Sequence, residues 1–248
     1  RSSWSGCGAG GAGRARPLQV EPYGGGRLRA VRRGWFTVPS RLFLLSPASC
    51  SGRRAQQLLS PSAAFDLAVR LRSAGGAPIG EVFAFISQLY FRGKLAYARA
   101  FARVPSDESG SALADGVFVI TPSRGVLAWD TAVDAAAIAA FAAVEVHHAN
   151  RAYVFALEEG ARRLAAFLGD GDQVVLLGSI ASEKYAAVLV EVLGPRLVFP
   201  REFVGRGDMS RGGLLLRSVR ACRELDYIPL AGSPRHGVRP PRLDPAGR

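Results

Sequence analysis

The chain has few lysines, few cysteines and no pattern typical of a metal site. Lys94 and Lys184 are the only lysines among 32 basic residues, a bias that we attribute to a GC-rich coding sequence rather than to arginine chemistry. Of the three cysteines, only Cys222 falls in the part that we expect to fold, so we expect no disulfide framework there. No cysteine or histidine spacing fits a zinc site, so we predict no bound metal.

No apolar run is long enough to cross a membrane. The longest early run, from Trp35 to Leu45, is interrupted by Pro39 and Arg41, whereas a spanning helix needs about 20 apolar residues. The same interruptions, and the long segment before them, argue against an export signal. We therefore expect a cytoplasmic protein with no membrane partner.

The net charge of +12 is concentrated at the two ends of the chain. Residues 1–75 hold 12 arginines against two carboxylates, whereas residues 76–231 hold 16 basic against 17 acidic side chains. Residues 1–62 are rich in Gly, Ser, Arg and Pro, and such a segment buries too little apolar surface to offset the entropy of ordering. We therefore predict that residues 1–77 form a disordered or non-native basic segment, with a possible short helix at 62–72.

The first residue of the chain is a second reason to treat residues 1–77 separately from the predicted domain. The chain opens on Arg1, and its only methionine is Met209. A fragment, a processed chain or a reading that extends upstream of the true start would each explain this, and we favour the last. Because the folded part is close to neutral, we expect no nucleic-acid partner for it.

From residue 78 onward, short apolar runs alternate with helical patterns. The predicted strands are 81–87, 116–121, 173–178, 196–200 and an edge strand at 224–230. The predicted helices are 88–102, 131–144, 153–168, 182–193 and 211–222. This alternation is typical of βαβ units. We therefore predict an α/β domain over residues 78–231, with a mainly parallel open sheet and helices on both faces, followed by an extended tail at 232–248.

The loops that follow the predicted strands indicate a ligand site. In open parallel sheets, ligands bind beyond the carboxyl ends of the strands. The loops at those positions are rich in Gly, Ser, Thr and Arg and poor in carboxylates, and backbone N–H groups, hydroxyls and guanidinium groups together bind anions. We therefore predict a site for a small anionic molecule. Its predicted ligand-binding residues are Ser87, Arg92, Ser123, Arg124, Gly178, Ser179, Lys184, Arg206, Ser210 and Arg211.

The densest of these loops is GRGDMSRGG, residues 205–213. We predict that Asp208 is its catalytic carboxylate and acts as general base, nucleophile or acceptor for a ligand hydroxyl. In the alternative interpretation, Asp208 or Ser210 caps the next helix and the arginines are solvated. Serine caps and tight-turn glycines explain the GSIAS loop at 178–182 equally well.

Several motifs of known chemistry are missing from the sequence. There is no GxxxxGK[ST], no GxGxxG after the first predicted strand, no GxSxG and no HExxH. His147 and His148 are adjacent, and neighbouring side chains on a strand point to opposite faces. We therefore expect that this pair, with Glu145, binds no metal.

Three segments, LYFRGKLAYARAFA, FVITPSRGVLAWD and VVLLGSIASEKYAAVLVEVLG, occur in that order within residues 81–193. In this order they resemble a group of small bacterial and phage α/β domains of unknown function. In that group an LY-containing helix precedes a strand with a Ser-x-x-Gly-Leu loop, followed by a Gly-ended strand and a Tyr-containing helix. Here Val126 stands where the pattern has Leu, and the group's initial Cys-containing loop is not evident. The resemblance implies a Rossmann-like, nucleotide-related fold and no particular catalytic residue.

Taken together, these patterns predict an enzyme, a hydrolase or group transferase, that binds a phosphorylated or nucleoside-type small molecule. One alternative is a non-catalytic module that senses a nucleotide or contacts another protein. Another is nucleic-acid binding through the Arg-rich N-terminal segment, which would be sensitive to salt. The residues identify no cofactor and no oligomeric state.

Overall fold

The computed structural model describes residues 39–104, 115–180, 183–241 and 243, and within them it contains eight strands and seven α-helices. The strands are β1 (Arg41–Leu45), β2 (Ala77–Pro78), β3 (Val117–Thr121), β4 (Gly125–Ala128), β5 (Ala132–Val133), β6 (Gln173–Leu177), β7 (Leu197–Pro200) and β8 (Tyr227–Pro229). The helices are α1 (Arg53–Leu59), α2 (Asp66–Arg72), α3 (Ile79–Phe101), α4 (Ala135–Ala142), α5 (Arg151–Ala165), α6 (Glu183–Leu193) and α7 (Asp208–Arg220).

Six of the strands form one mixed sheet in the order β4-β3-β1-β6-β7-β8. The four inner strands are parallel to one another, whereas β4 and β8 pair antiparallel at the two edges. The predicted α/β class is therefore confirmed, while the description of the sheet as mainly parallel holds for its inner strands alone. Strand β4 was not predicted, and it turns the segment after β3 into a hairpin.

The central strand β1 lies inside the segment that was predicted to be disordered. Leu42, Phe43, Leu44 and Leu45 are fully buried, because β1 pairs with β3 on one side and β6 on the other. Parallel inner strands are covered on both faces and read as short continuous apolar runs. The prediction for residues 1–77 is thus wrong from residue 39 onward, and the short helix expected at 62–72 is found as α2. Residues 1–38 lie outside the described residues.

The segment 81–87, predicted as the first strand, belongs to helix α3. A short apolar run can be a buried strand or a buried helix, and here Val82, Phe83 and Ile86 all lie on the buried side of the helix. The helix predicted at 88–102 continues α3 after an interruption at Gln88, where φ is 56° and ψ is −128°. Residues 144–148, which carry the adjacent His147 and His148, form a loop and not a strand.

The connections between the inner strands reverse direction at β1. The chain passes from β1 through α3 to β3 on one side, and then through α4 and α5 to β6 on the opposite side of β1. Helix α3 packs with α7, and α5 packs with α6, as expected for right-handed crossovers that place the two pairs on opposite faces of the sheet. Such a reversal leaves a crevice beyond the carboxyl ends of the central strands, where ligands of doubly wound sheets bind.

Candidate functional site

A cleft of about 620 Å³ opens beyond the carboxyl ends of β1, β3 and β6. Residues 46–51, which follow β1, line the cleft, and α3 contributes Ser87, Tyr90 and Lys94. Residues 141–146, Ser179, Lys184 and Tyr185 complete most of the lining. Ligand sites of small molecules typically have about 300–1,000 Å³, so the cleft has the size and the position expected of one.

The most unusual group in the cleft wall is the amine of Lys94. Its side chain is buried, and its Nζ lies 2.9 Å from both the carbonyl oxygen and the hydroxyl of Ser46. The rings of Tyr90 and Phe91 lie 4.7 Å and 4.6 Å from the same nitrogen. Burial lowers the pKa of Lys94 from 10.5 to about 7, and the nearby Asp208 carboxylate acts in the opposite direction. Burial therefore favours the uncharged form of this amine.

Ser46 is the first residue after β1, and its position is fixed by the sheet. Its N–H donates to the carbonyl of Leu177 at 3.1 Å, which extends the ladder between β1 and β6 by one residue. Its hydroxyl has two polar neighbours, the Lys94 amine and the Tyr185 phenol. Ser46 is almost fully buried but contributes to the cleft surface.

The phenol of Tyr185 reaches Ser46 across Gly178. A Cβ at residue 178 would lie 2.6 Å from the Tyr185 oxygen and 2.8 Å from the Ser46 Cβ, so only glycine leaves room for this contact. Burial raises the pKa of Tyr185 to about 12, although hydrogen bonds with the Ser46 side chain and the Ser179 backbone oppose the shift. Gly178, which was predicted to bind ligand through its backbone, does not line the cleft but makes room for the contact between Ser46 and Tyr185.

Two further side chains of the cleft, Tyr90 and Cys50, are buried. Burial raises the pKa of Tyr90 well above the ordinary value, although an interaction of its hydroxyl with the Arg211 guanidinium opposes the shift. Burial raises the pKa of Cys50 to about 12, so its thiol stays protonated and is a poor nucleophile.

Four of the residues predicted to form the site line the cleft: Ser87, Ser179, Lys184 and Asp208. Asp208 is the first residue of α7, and its exposed carboxylate lies 3.5 Å from the Arg211 guanidinium. The capping alternative is not found, since the N-cap residue is Gly207 and no side chain caps this helix. The structure therefore leaves the Asp208 carboxylate available to a ligand.

The arginines of GRGDMSRGG have internal partners. Arg211 is buried and donates to the carbonyl of Gly178 at 3.3 Å and to that of Phe203 at 3.0 Å. Arg206 donates to the hydroxyl of Ser210 at 3.2 Å and to the Pro241 carbonyl at 3.4 Å. Buried carbonyl groups need donors, and the Arg211 guanidinium supplies them for Gly178 and Phe203. Arg206, Ser210 and Arg211 do not line the cleft, and their roles as ligand contacts stay predictions.

The remaining predicted residues do not line the cleft. Ser123 and Arg124 are exposed in the turn between β3 and β4, where the hydroxyl of Thr121 accepts from the Arg124 N–H at 3.1 Å. The guanidinium of Arg124 lies 5.7 Å from the Phe141 ring and borders a smaller cavity of about 140 Å³. Arg92 is exposed on α3. Ser123 and Arg124 lie away from the cleft because β3 is followed by the hairpin to β4 and not by a crossover helix, so the loop after β3 is a tight turn.

The sequence reasoning did not find Ser46 or Tyr185, and it passed over Tyr90 and Lys94 in favour of their neighbours. Ser46 was missed because β1 was not recognised, so the loop after it was not considered. The available signal was the apolar run RLFLL followed by the small residues of SPASCSG and a helical pattern. For Lys94, the signal was a lone lysine within an aromatic, helical stretch of a chain that has only two.

Comparisons of the chain with protein-family models, with curated proteins and with solved structures found no match. Among the described residues, no group of three or more His, Cys, Asp or Glu side chains is placed to hold a metal ion. In the same part of the chain, no helix is both long and apolar enough to cross a membrane.

Proposed function

We propose that the protein is an enzyme, a hydrolase or group transferase, that binds a phosphorylated or nucleoside-type small molecule in this cleft. The observation that carries the proposal is the Lys94 amine, which is buried without a carboxylate at hydrogen-bond distance. Burying an amine in this way destabilises the folded state. Groups with strongly shifted pKa values in clefts are typical of catalytic sites, where they serve as acids or bases near neutral pH.

The position and the lining of the cleft support the substrate class. Nucleotides bind at the carboxyl ends of doubly wound sheets, beside the strand where the winding reverses, and here that strand is β1. Lys184 supplies a cationic group and Ser87, Ser179 and the loop after β1 supply hydroxyls, which together suit an anionic group such as phosphate. Asp208 is suited to accept hydrogen bonds from ligand hydroxyls, as a ribose would offer.

The second candidate is a module that binds the same kind of molecule without turnover. The Lys94 amine already has two hydrogen-bond acceptors, the carbonyl oxygen and the hydroxyl of Ser46. This observation favours the binding module, because a lysine with a purely structural role would have its hydrogen bonds satisfied in this way. The two candidates differ in one observable, since the module binds its ligand unchanged and the enzyme converts it.

The nucleic-acid alternative now depends on residues outside the described part of the chain. Arginines at the start of the described part of the chain have internal partners: Arg41 pairs with Glu224, and Arg70 pairs with Asp66 and Glu81. Arg72 donates to the carbonyls of Ser60 and Ala63. Salt-sensitive binding of DNA or RNA that survives deletion of residues 1–38 would contradict this view.

The proposal is tested by thermal shift of the full chain against a panel of nucleotides, nucleosides and sugar phosphates. We expect at least one compound to raise the melting temperature, because a ligand that binds only the folded state stabilises it. The shift in melting temperature should shrink in Asp208→Asn and persist in Asp170→Asn. Asp170 is a matched control because it lies in the exposed turn before β6, at the amino-terminal end of that strand, whereas the cleft lies beyond the carboxyl end. Compounds that bind are then incubated with the protein and analysed for conversion. A complete panel without any shift would refute the proposal, and binding without conversion would favour the module.

A further inference from the structure

The polar groups of Ser46, Lys94 and Tyr185 can each be assigned as donor or acceptor in the hydrogen bonds around Ser46. A carbonyl oxygen can only accept, so the Lys94 amine must donate to the Ser46 carbonyl. An uncharged amine also has a lone pair, which can accept the proton of the Ser46 hydroxyl 2.9 Å away. The Tyr185 oxygen interacts with the Ser179 backbone and with the Ser46 side chain, and once the Ser46 proton is directed to Lys94, the Tyr185 O–H is the donor that remains for the Ser46 oxygen.

We propose that Ser46 is a covalent nucleophile for acyl transfer, with Lys94 as the base that removes its proton and Tyr185 as the group that orients its oxygen. This inference rests on the proposed function, since it uses the same cleft. A serine hydroxyl is weakly nucleophilic until an adjacent base takes its proton, and a neutral lysine is one of the bases known to do so. The sheet fixes Ser46 from one side and α3 delivers Lys94 from the other, so the two groups are held on separate elements.

The reaction balances in two steps. In the first, the Ser46 oxygen attacks the carbonyl carbon of an ester or amide while its proton passes to the neutral Lys94 amine. The bond between that carbon and the leaving group breaks, and the Lys94 ammonium gives the proton to the leaving group. In the second, water attacks the acyl ester on Ser46 and gives one proton to Lys94. The bond from the acyl carbon to Ser46 breaks, and the proton returns to the serine oxygen.

The lining of the cleft favours a carbonyl centre over a phosphoryl centre. Phosphoryl transfer depends on cations, often arginine, that stabilise charge on the transferred group. Among the described residues no arginine lines the cleft, and the nearby Arg211 is engaged with the Gly178 and Phe203 carbonyls. A phosphate on the substrate would then serve for binding, at Lys184, while the bond that breaks is an ester or amide bond.

Tyr90 is the neighbour of Lys94 on α3 that also lines the cleft. It precedes Lys94 by one helical turn, so the two side chains share a face of α3. The Tyr90 ring lies 4.7 Å from the Lys94 amine, and its buried hydroxyl interacts with Arg211. Tyr90 therefore helps to hold the Lys94 amine in place beside Ser46.

The test is labelling of the full chain with a fluorophosphonate, followed by peptide mass spectrometry. The Ser46 oxygen would bond to phosphorus and expel fluoride, while the serine proton passes to Lys94. We expect an adduct at Ser46 that is lost in Ser46→Ala, and in Lys94→Met we expect labelling slower by about 100-fold or more. Ser40→Ala is the matched control, because Ser40 is buried at the other end of the same strand. A known serine hydrolase in the same tube shows that the reagent is active.

The pH dependence of labelling separates a base from a structural lysine. The charged and titratable groups around Lys94 are Asp208 and Arg211 on α7, Tyr185 on α6 and Tyr90 on α3 itself. Burial places the pKa values of both tyrosines well above 10, so neither titrates near neutrality. The labelling rate should therefore rise through pH 7 and level off above it, as the Lys94 amine loses its proton.

Three outcomes would overturn the inference. They are a folded protein that is not labelled at Ser46, an adduct on a different serine, and a Lys94→Met variant labelled as fast as the wild type. Circular dichroism establishes that each variant is folded. Labelling needs no natural substrate, so its failure leaves any ligand-induced thermal shift intact, and a failed ligand panel leaves the labelling result intact.

Discussion

Gly93 of α3 lies directly against Gly212 of α7, so that a Cβ at residue 93 would be 2.8 Å from the Gly212 carbonyl oxygen. A Cβ at residue 212 would in turn lie 2.9 Å from the Tyr90 Cα. The two helices can approach this closely only because both positions lack a side chain. Their contact brings Lys94 and Asp208 to the same cleft, so part of the glycine content of GRGDMSRGG serves helix packing.

The first prediction concerns this contact. Gly212→Ala should lower the free energy of unfolding by about 1–3 kcal/mol, because the new methyl group meets backbone atoms of Leu89 and Tyr90 that cannot easily move. Gly213→Ala is the matched control. Its methyl group would meet only a Leu243 methyl at 3.6 Å, so it should gain up to about 1 kcal/mol from helix propensity. Chemical denaturation measures both, and equal effects of the two variants would contradict the packing role.

The second prediction concerns the buried guanidinium of Arg211. In Arg211→Met the carbonyls of Gly178 and Phe203 lose a donor, and each buried carbonyl left unsatisfied costs about 1–3 kcal/mol. We therefore expect a clear loss of stability, with a smaller loss in Arg206→Met, whose partners are half-buried or exposed. If Arg211 instead serves only as a ligand contact, Arg211→Met will unfold at the wild-type denaturant concentration.

The third prediction follows from the pKa of Lys94. Its folded-state value of about 7 lies below the ordinary 10.5, so the unfolded chain binds the extra proton and the stability of the folded state rises with pH between these values. Lys94→Met removes this penalty, which is largest below pH 7. The stability advantage of Lys94→Met over the wild type should therefore shrink by about 1.4 kcal/mol per pH unit above pH 7.

Urea denaturation of the wild type and Lys94→Met at pH 6, 7, 8 and 9 measures this difference. The lost hydrogen bond to the Ser46 carbonyl lowers the stability of the variant by a constant amount at every pH, so the slope is the diagnostic quantity. A difference that does not change between pH 7 and pH 9 would show that Lys94 titrates normally.

The fourth prediction is that Asp208 helps to set the pKa of Lys94. The carboxylate raises the pKa of the Lys94 amine, in opposition to burial. In Asp208→Asn that pKa should fall, and the fall should be small because the Asp208 side chain is exposed to solvent. The labelling rate of Ser46 should then reach its plateau at lower pH. A plateau that moves to higher pH would contradict this assignment.

The strands that could be predicted from the sequence share a simple signal. β3, β6 and β7 are apolar runs of four or five residues bounded by turn-forming residues, and each was predicted within a few residues of its position. β1 carries the same kind of run, but arginine, glycine and proline around it give its surroundings the composition of a disordered segment. Composition averaged over a long window hides a strand of five residues.

The site was only partly predictable, for a topological reason. Lys94 and Ser46 are 48 residues apart along the chain, and their contact exists because α3 packs across the end of β1. No local pattern records such a contact. The loops at the carboxyl ends of β6 and β7 could be located because those strands were, and from them came Ser179, Lys184 and Asp208. Arg206 and Arg211 were predicted to bind ligand because guanidinium groups bind anions. In the structure they donate instead to Ser210 and Pro241 and to Gly178 and Phe203, and the sequence does not reveal these partners.

The proposed chemistry requires an uncharged Lys94 amine beside Ser46, and nuclear magnetic resonance measures the charge state of this amine directly. Since the chain holds only two lysines, selective labelling of lysine with ¹³C at Cε gives two signals, and the spectrum of Lys94→Met assigns them. We predict that the Lys94 signal titrates with a pKa of about 7. A Lys94 signal that titrates near 10.5 would contradict the account, because the amine would then be charged at neutral pH and could not accept the serine proton.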